Sequence, residues 1–259
     1  MLNKRLGQHF LRDTAVLTAI ADAIQPLPEQ TILEIGPGDG VLTEVLQQSG
    51  ATVIALEIDQ RFAEKLQQRY HQHPRIKIIH TDALAADWQE LAGQNARLVG
   101  NLPYNISTPL LLKMAHNAHW LQDCHVMVQK EVGHRVCAAA NSADYGRLTV
   151  SMQLWFAAQW LLDVAPEAFT PPPAVDSTVL RLQPRPPQPT PPHFEAVVTA
   201  AFGQRRKTLK NSLSSSTIDW TINWQHCPID SSRRAQSLSV AEFIELAKYC
   251  RRPHEYFSE

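Results

Sequence analysis

The feature that most constrains the fold is a regular alternation of β-rich runs and helix-like stretches from Thr31 to Arg97. We predict strands at TILEI (31–35), TVIALEI (52–58) and RIKIIH (75–80), with helices at VLTEVLQQ (41–48) and RFAEKLQQRY (61–70). This order is typical of βαβ units, whose right-handed crossovers place successive strands parallel in one sheet. The chain is therefore expected to have an α/β fold.

Further strands are predicted beyond this region. ARLVGN (96–101) and CHVMVQ (124–129) continue the series, whereas WLLDVA (160–165) and DSTVLRL (176–182) lie close to each other in sequence. A short connection suits antiparallel strands, so we expect this last pair at an edge of the sheet.

A proline-rich segment marks a domain boundary. Residues 184–192 contain six prolines in nine positions, which excludes both a helix and a central strand. We therefore predict one domain over residues 1–183 and a small helical domain over residues 193–259. Helical periodicity occurs in the second domain over 193–215 and 239–252.

Composition narrows the class of protein to which the chain can belong. The 259 residues are 44% hydrophobic and 19% charged, as in globular proteins, and no apolar run approaches the roughly eighteen residues that a membrane span needs. Residues 1–13 lack the apolar core of a secretory signal, so we expect a cytoplasmic protein without membrane contact. The four cysteines form no CxxC pair, which predicts neither a zinc site nor a disulfide framework.

A glycine-rich turn follows the first strand of the series. In EIGPGDG (34–40) the glycines let a ligand approach the backbone closely, although the same pattern also suits a plain strand-to-helix turn. Glu57 ends the next strand, about twenty residues after Gly36, where a carboxylate is placed to accept hydrogen bonds from ribose hydroxyls. Together the turn and Glu57 favour a nucleoside site.

Two further strand ends carry groups suited to a nucleobase. Asp82 follows the third strand, at the edge where open α/β sheets bind ligands, and can accept from an adenine amine. After the fourth strand, the Asn101 carboxamide and the Leu102 carbonyl offer two acceptors for the N–H groups of a target adenine. Tyr104 offers a face for an unstacked base, although a proline turn with a packed tyrosine is the structural alternative.

Four segments resemble the ribosomal RNA adenine dimethyltransferase family: RLGQHFL (5–11), GNLPYNISTP (100–109), FTPPPAVDSTVLRL (169–182) and FGQRRKTLKNSL (202–213). They span nearly the whole chain in the order in which that family carries them. The resemblance implies a Rossmann-like class I methyltransferase domain with a seven-stranded, mostly parallel sheet, followed by a small all-α domain. It also implies S-adenosylmethionine as methyl donor, no metal, and two adjacent adenosines near the 3′ end of small-subunit (16S) ribosomal RNA as substrate.

The resemblance also assigns site residues. Cofactor contacts are expected at His9, Leu11, Gly36, Gly38, Glu57, Ile58, Asp82, Ala83 and Asn101. The target-adenine site is expected at Asn101, Leu102, Tyr104 and Phe169, with the base between the two aromatic rings. The family usually has Asn where this chain has His9, and a histidine can also donate and accept hydrogen bonds.

Basic residues are the expected RNA contacts, because lysine and arginine position a nucleic acid through its phosphates. Two groups occur: Arg205, Arg206, Lys207 and Lys210 in the second predicted domain, and Lys4, Arg5 and Arg12 near the N-terminus. We expect a monomer whose partner is the small ribosomal subunit and its RNA. Three alternatives stay open, namely methylation of large-subunit RNA, methylation of adenine in DNA, and a ribosome-assembly role in which methylation is secondary.

Overall fold

The structure is a computed structural model that describes residues 8–251. Its strands are β1 Phe10–Leu11, β2 Thr31–Ile35, β3 Thr52–Glu57, β4 Ile76–His80, β5 Ala96–Asn101, β6 Leu121–Gln129, β7 Phe156–Val164, β8 Phe169–Thr170, β9 Ser177–Pro184, β10 Thr221–Ile222 and β11 Cys250–Arg251. Its helices are α1 Thr14–Ile24, α2 Val41–Gln47, α3 Gln60–Tyr70, α4 Trp88–Ala92, α5 Ser107–His116, α6 Lys130–Cys137, α7 Arg147–Trp155, α8 Phe194–Phe202, α9 Leu209–Ser214 and α10 Val240–Lys248. No helix in this part of the chain is long and apolar enough to cross a membrane.

Seven strands form the main sheet, in the order β4-β3-β2-β5-β6-β9-β7. Neighbours from β4 to β6 are parallel, whereas β9 runs antiparallel to both β6 and β7. The seven-stranded, mostly parallel sheet is therefore confirmed, with its antiparallel pair at one edge. Two small antiparallel pairs, β1 with β8 and β10 with β11, complete the strand pairing.

The central strands are apolar on both faces, as expected for a parallel sheet that helices cover on both sides. Ile32, Leu33 and Val53 are fully buried. Helix α3 buries a stripe that ends at Tyr70, and the Asp59 side chain caps its N-terminus by accepting from the Arg61 amide at 3.1 Å. The turn between β3 and α3 is therefore fixed by a hydrogen bond at the N-terminus of the helix.

The segment 193–215, for which we predicted helical structure, forms two helices. Helix α8 ends at Phe202 and α9 begins at Leu209, with a turn between them. The Thr208 side chain caps α9 by accepting from the Asn211 amide at 3.4 Å. The basic residues of the predicted RNA-binding segment therefore lie mainly in a turn and not along one helix face.

The described chain divides into two compact units. The first runs through Gly133 and resumes at Trp155–Arg185, and the second comprises His134–Leu154 and the residues from Pro186 onward. The sequence had placed His134–Leu154 in the first domain, within residues 1–183. The second unit is mainly helical, with β10 and β11 as two-residue strands that we did not predict.

Contacts within the second unit explain why His134–Leu154 belongs to it. The Tyr145 hydroxyl donates to the Leu238 carbonyl at 2.7 Å, and its ring lies 6.2 Å from that of Phe202. The Ser151 hydroxyl donates to the Glu195 carboxylate at 2.9 Å. The two hydrogen bonds join residues that are 93 and 44 positions apart, respectively, a separation that local sequence patterns do not reveal.

Candidate functional site

A cleft lies at the carboxyl ends of β2, β3, β4 and β5 in the first unit. Parallel strands end at one edge of a sheet, so residues that follow different strands meet there. Except for Phe169, all the residues predicted for the cofactor and the adenine line this cleft: His9, Leu11, Gly36, Gly38, Glu57, Ile58, Asp82, Ala83, Asn101, Leu102 and Tyr104. The topology therefore brings together groups that are up to 95 residues apart in sequence.

The glycine-rich turn is required by backbone geometry and by close packing. Gly36 has φ +67° and Gly38 has φ +58°, a left-handed conformation that side chains with a Cβ rarely adopt. A Cβ on Gly38 would lie 2.7 Å from Cε1 of Phe10. Any larger residue at Gly38 would displace Phe10 from the cleft wall.

Glu57 is fixed in the cleft by two backbone amides. The Gly38 amide donates to Oε2 at 2.9 Å and the Asp59 amide donates to Oε1 at 2.8 Å. Glu57 is 4% exposed, and burial raises its pKa above the ordinary value despite these hydrogen bonds. Each carboxylate oxygen retains a lone pair that can accept from a ligand hydroxyl.

Glu34 is a second buried carboxyl group in the cleft wall, to which we had assigned no role. It is 1% exposed and accepts a hydrogen bond from the Thr43 hydroxyl at 2.6 Å. Burial raises its pKa to about 7, and the negative charge of Glu57 acts in the same direction. Its position as the first residue of EIGPGDG (34–40) was the available signal.

His125 on β6 is another lining residue that sequence reasoning missed. It is 2% exposed, and its Nδ1 lies 3.7 Å from Oδ1 of Asp123, beyond hydrogen-bond distance. Arg97 binds Asp123 through two hydrogen bonds of 2.8 and 2.9 Å. Burial lowers the pKa of His125 to about 4, and Arg97 and Arg181 act in the same direction against the attraction of Asp123.

The turn after β4 presents a carboxylate beside apolar side chains. Asp82 is exposed, and its Oδ1 accepts from the Leu84 amide at 2.8 Å. Ala83 is buried, whereas Ile58 is 44% exposed on the cleft. An exposed apolar side chain next to a fixed carboxylate suits the flat face and the exocyclic amine of an adenine ring.

Asn101 is oriented by the N-terminal segment. Its Nδ2 donates to the His9 carbonyl at 3.0 Å, so the oxygen of the same carboxamide is the group that can accept from a ligand. This is the orientation that an acceptor for an adenine amine requires. Leu102 is fully buried, and its amide donates to the Met127 carbonyl at 3.0 Å.

Tyr104 and His9 form a stacked pair in the cleft. Their ring centroids are 5.4 Å apart with an interplanar angle of 27°. The Tyr104 hydroxyl is hydrogen-bonded to Ser177 Oγ at 2.5 Å, and His9 Nδ1 lies 2.9 Å from the Pro171 carbonyl. Burial raises the pKa of Tyr104, so this phenol stays neutral and serves as a packing surface and a hydrogen-bonding group.

Phe169 is not brought to the cleft. It is 3% exposed and belongs to the hydrophobic core together with Leu11 and Leu17. Phe169 is the register partner of Leu11 in the β1–β8 pair, which holds it there. The structure therefore does not place two aromatic rings on either side of a base, and His9 is the ring that faces Tyr104.

The predicted RNA-binding residues have different environments. Arg206, Lys207 and Lys210 are exposed in the second unit. Arg205 is also exposed, but its guanidinium donates to the carbonyls of Ala143 at 2.7 Å and of residue 145 at 3.2 Å. Arg205 therefore stabilises the second unit, whereas the other three side chains extend into solvent.

The N-terminal basic group is described only in part. Lys4 and Arg5 lie outside the described residues. Arg12 forms an ion pair with Asp39 at 2.5 Å, and its guanidinium lies 5.5 Å from the centre of the Phe10 ring. Its charge is therefore directed to the glycine-rich turn.

Comparison with known proteins agrees with this geometry. The model of the ribosomal RNA adenine dimethylase family matches residues 1–252. The chain is 45% identical over 252 residues to ribosomal RNA small subunit methyltransferase A of Methylococcus capsulatus, which covers 95% of this chain and 96% of that protein. It is 42% identical over 258 residues to the protein of the same name from Haemophilus influenzae, with coverage of 95% and 89%.

Two solved structures show the same fold. A dimethyladenosine transferase from Plasmodium falciparum superposes with a TM-score of 0.77 at 23% identity and covers 93% of this chain and 99% of its own. The 23S rRNA methyltransferase ErmE superposes with a TM-score of 0.68 at 24% identity, with coverage of 93% and 98%. The predicted class I methyltransferase fold is thus confirmed. Because the family match spans nearly the full length and these relatives exceed 40% identity, this chain is a member of the ribosomal RNA adenine dimethylase family.

Proposed function

We propose that this enzyme transfers two methyl groups from S-adenosylmethionine to N6 of each of two adjacent adenosines near the 3′ end of small-subunit ribosomal RNA. The observation that carries the proposal is the position of the Asn101–Tyr104 turn on the same cleft as Glu57 and Asp82. Acceptors and an aromatic face for one adenine thus adjoin groups suited to a nucleoside cofactor. The names of relatives at 42 and 45% identity support the small subunit over the large one.

Four residues of the cleft fit the nucleoside part of the cofactor. Glu57, held by two amides, would accept from the ribose hydroxyls, and Asp82 from the adenine amine. Ile58 would cover one face of the adenine ring, and Gly38 admits the ligand close to the backbone. When bound, the cofactor supplies an activated methyl group, so the residues of the chain need to orient the two reactants.

The Asn101–Tyr104 turn would orient the target amine. The lone pair of an adenine amine is delocalised into the ring, which makes it a poor nucleophile. Acceptors at the Asn101 carboxamide and the Leu102 carbonyl would favour a pyramidal nitrogen and stabilise the positive charge that develops on it. The cationic product amine is strongly acidic, so it loses its proton to water without a dedicated base.

Exposed basic residues of the second unit support an RNA substrate. Arg206, Lys207 and Lys210 are exposed in the second unit and are suited to phosphate contacts. We also propose that the protein acts as a monomer on the small subunit, in the compartment where subunits assemble. Metal ions have no part in the proposal.

The test is methylation of purified, partly assembled small subunits that lack these methyl groups. After incubation with enzyme and S-adenosylmethionine, the RNA is digested to nucleosides and analysed by mass spectrometry. We expect N6,N6-dimethyladenosine to accumulate, and Asn101→Ala to slow methyl transfer by about 100-fold or more because an acceptor for the amine is lost.

Two parallel reactions define the outcomes against the proposal. Large subunits and duplex DNA are offered as acceptors under the same conditions. Transfer only to either of these, or a product on small subunits that stops at N6-methyladenosine, would overturn the proposed function. Subunit maturation supported equally by Asn101→Ala and by the unaltered enzyme would instead favour the assembly role.

A further inference from the structure

Lys113, in the last turn of α5, is bonded to the turn that follows β4. Its Nζ lies 2.9 Å from the Ala83 carbonyl, 2.9 Å from the Leu84 carbonyl and 2.5 Å from the Ala86 carbonyl. An ammonium group has three N–H donors, and these three carbonyls use them all. Lys113 is therefore committed to the backbone of this turn and does not serve as a solvent-facing charge.

An aromatic ring completes the surroundings of the ammonium. Lys113 Nζ lies 4.7 Å from the centre of the Trp88 ring, within the range of a cation–π interaction. Trp88 is 1% exposed, and its Nε1 donates to the Ala83 carbonyl at 2.8 Å. The Ala83 carbonyl thus accepts from both Trp88 and Lys113, which fixes the plane of the peptide that follows Ala83.

The same turn carries the carboxylate that faces the cleft. The amides of Ala85 and Ala86 both donate to the Asp82 carbonyl at 3.0 Å, and the Leu84 amide donates to Asp82 Oδ1 at 2.8 Å. The Asp82 side chain is therefore held by the backbone that Lys113 binds. Movement of that backbone would shift the carboxylate relative to Ile58 in the cleft.

Charge and burial agree with a structural commitment of this lysine. Burial lowers the pKa of Lys113, while the nearby carboxylates of Asp82 and Asp87 act in the opposite direction. A half-buried ammonium is costly unless its hydrogen bonds are made, and here they are made by one turn of one loop. The arrangement gives the loop a single preferred conformation.

We propose that Lys113 is a positioning residue that sets the preference of the cofactor site for adenine. It does so by binding the carbonyls of Ala83, Leu84 and Ala86 and thereby holding the Asp82–Ala86 turn. This inference rests on the proposed function, in which Asp82 accepts from the adenine amine. A ligand with a carbonyl oxygen in place of that amine has no exocyclic N–H to donate to Asp82, so the preference between the two ligands reports the position of Asp82.

The test is calorimetric titration of the full chain with S-adenosylhomocysteine and with S-inosylhomocysteine, which has oxygen in place of the adenine amine. The variant Lys113→Met keeps the length of the stem and removes the ammonium. We expect its affinity for S-adenosylhomocysteine to fall by about tenfold, the equivalent of one lost hydrogen bond of about 1.4 kcal/mol, with little change for S-inosylhomocysteine. The preference for adenine should shrink by the same factor.

The matched control is Lys77→Met, since Lys77 is an exposed lysine on β4, the strand that leads into the same turn. It should retain the preference of the unaltered protein. Lys113→Gln keeps amide donors for part of the carbonyl set, so it should show an intermediate preference. It decides the question if Lys113→Met does not fold.

Three results would count against the inference, and they are distinguishable. Equal losses of affinity for both ligands in Lys113→Met or Lys113→Gln would show a merely structural role. An unchanged affinity for S-adenosylhomocysteine in the folded variants would also overturn it. If the unaltered chain itself fails to bind S-adenosylhomocysteine, the proposed function fails and the inference fails with it.

Discussion

Replacing Glu34 by Gln tests the energetic cost of a buried carboxyl group in the cleft. Burial is the main reason that the pKa of Glu34 is raised to about 7, and the hydrogen bond from Thr43 only partly opposes it. Glutamine has nearly the same size and keeps an oxygen that can accept from the Thr43 hydroxyl, which lies 2.6 Å from Glu34 Oε2. The substitution therefore removes ionisation while leaving the packing in place.

The sign of the pH dependence follows from whether the folded or the unfolded state binds the Glu34 proton more tightly. The unfolded chain releases it near pH 4.5 and the folded protein near pH 7, so folding favours the protonated group. This contribution to stability is present in full below pH 4.5 and is lost as pH rises through 7. The full difference corresponds to about 3 kcal/mol, at roughly 1.4 kcal/mol per pH unit.

Urea unfolding of both proteins without cofactor, followed by circular dichroism at pH 5 and pH 8, measures this difference. Most of the pH range over which the Glu34 contribution is lost lies between these two pH values. The Glu34→Gln variant should gain about 2–3 kcal/mol in unfolding free energy relative to the unaltered protein between pH 5 and pH 8. Other titrating groups act equally in both proteins and cancel. A constant difference at the two pH values would refute the argument that Glu34 is buried with a raised pKa.

Four further variants address other parts of the molecule. The unfolding free energy of His125→Gln relative to that of the unaltered protein should be about 2–3 kcal/mol higher at pH 4.5 than at pH 7, as measured by denaturant unfolding. An equal difference at both pH values would contradict burial of a neutral histidine. Tyr104→Ala should lower the rate of methyl transfer about tenfold or more through lost stacking, with calorimetric cofactor affinity unchanged; equal losses would mean a structural role. Arg206→Gln combined with Lys207→Gln should reduce the slope of log affinity for RNA against log salt concentration by about 2. Arg205→Gln should chiefly lower the melting temperature, because Arg205 binds backbone carbonyls of its own unit. An unaltered slope in the double variant would place the RNA elsewhere.

The strand ends of the first unit could be predicted because periodicity and chain order determine them. Once β2, β3, β4 and β5 are parallel neighbours, their following residues must meet at one edge. Glu57, Asp82 and Asn101 were therefore placed in a common site without knowledge of any distance. Their hydrogen bonds could not be predicted, because Gly38 and His9 reach them through tertiary contacts.

The residues that sequence reasoning misplaced or missed depend on contacts between distant segments. Phe169 lies in a motif, but its burial is decided by pairing with Leu11, 158 residues earlier in the chain. Lys113 lies 30 residues from Ala83, on a helix whose rotation is set by packing. His125 lies in a run whose residues alternate between the two faces of the sheet, and the alternation alone does not tell which face lines a cleft.

Glu34 and His125 line the same cleft and oppose each other in their dependence on pH. Between pH 4.5 and pH 6.5 the unfolded chain has released the Glu34 proton that the folded protein keeps, and it has taken up the His125 proton that the folded protein excludes. The slopes of stability with pH are therefore opposite and similar in size, at about 1.4 kcal/mol per pH unit each. The unfolding free energy of the unaltered protein should therefore depend little on pH through these two groups over that interval. Glu34→Gln should reveal the contribution of His125, and His125→Gln that of Glu34. The variant with both substitutions lacks both contributions. The coupling between the two groups is the difference between its change in unfolding free energy and the sum of the changes in the two single variants, measured at each pH.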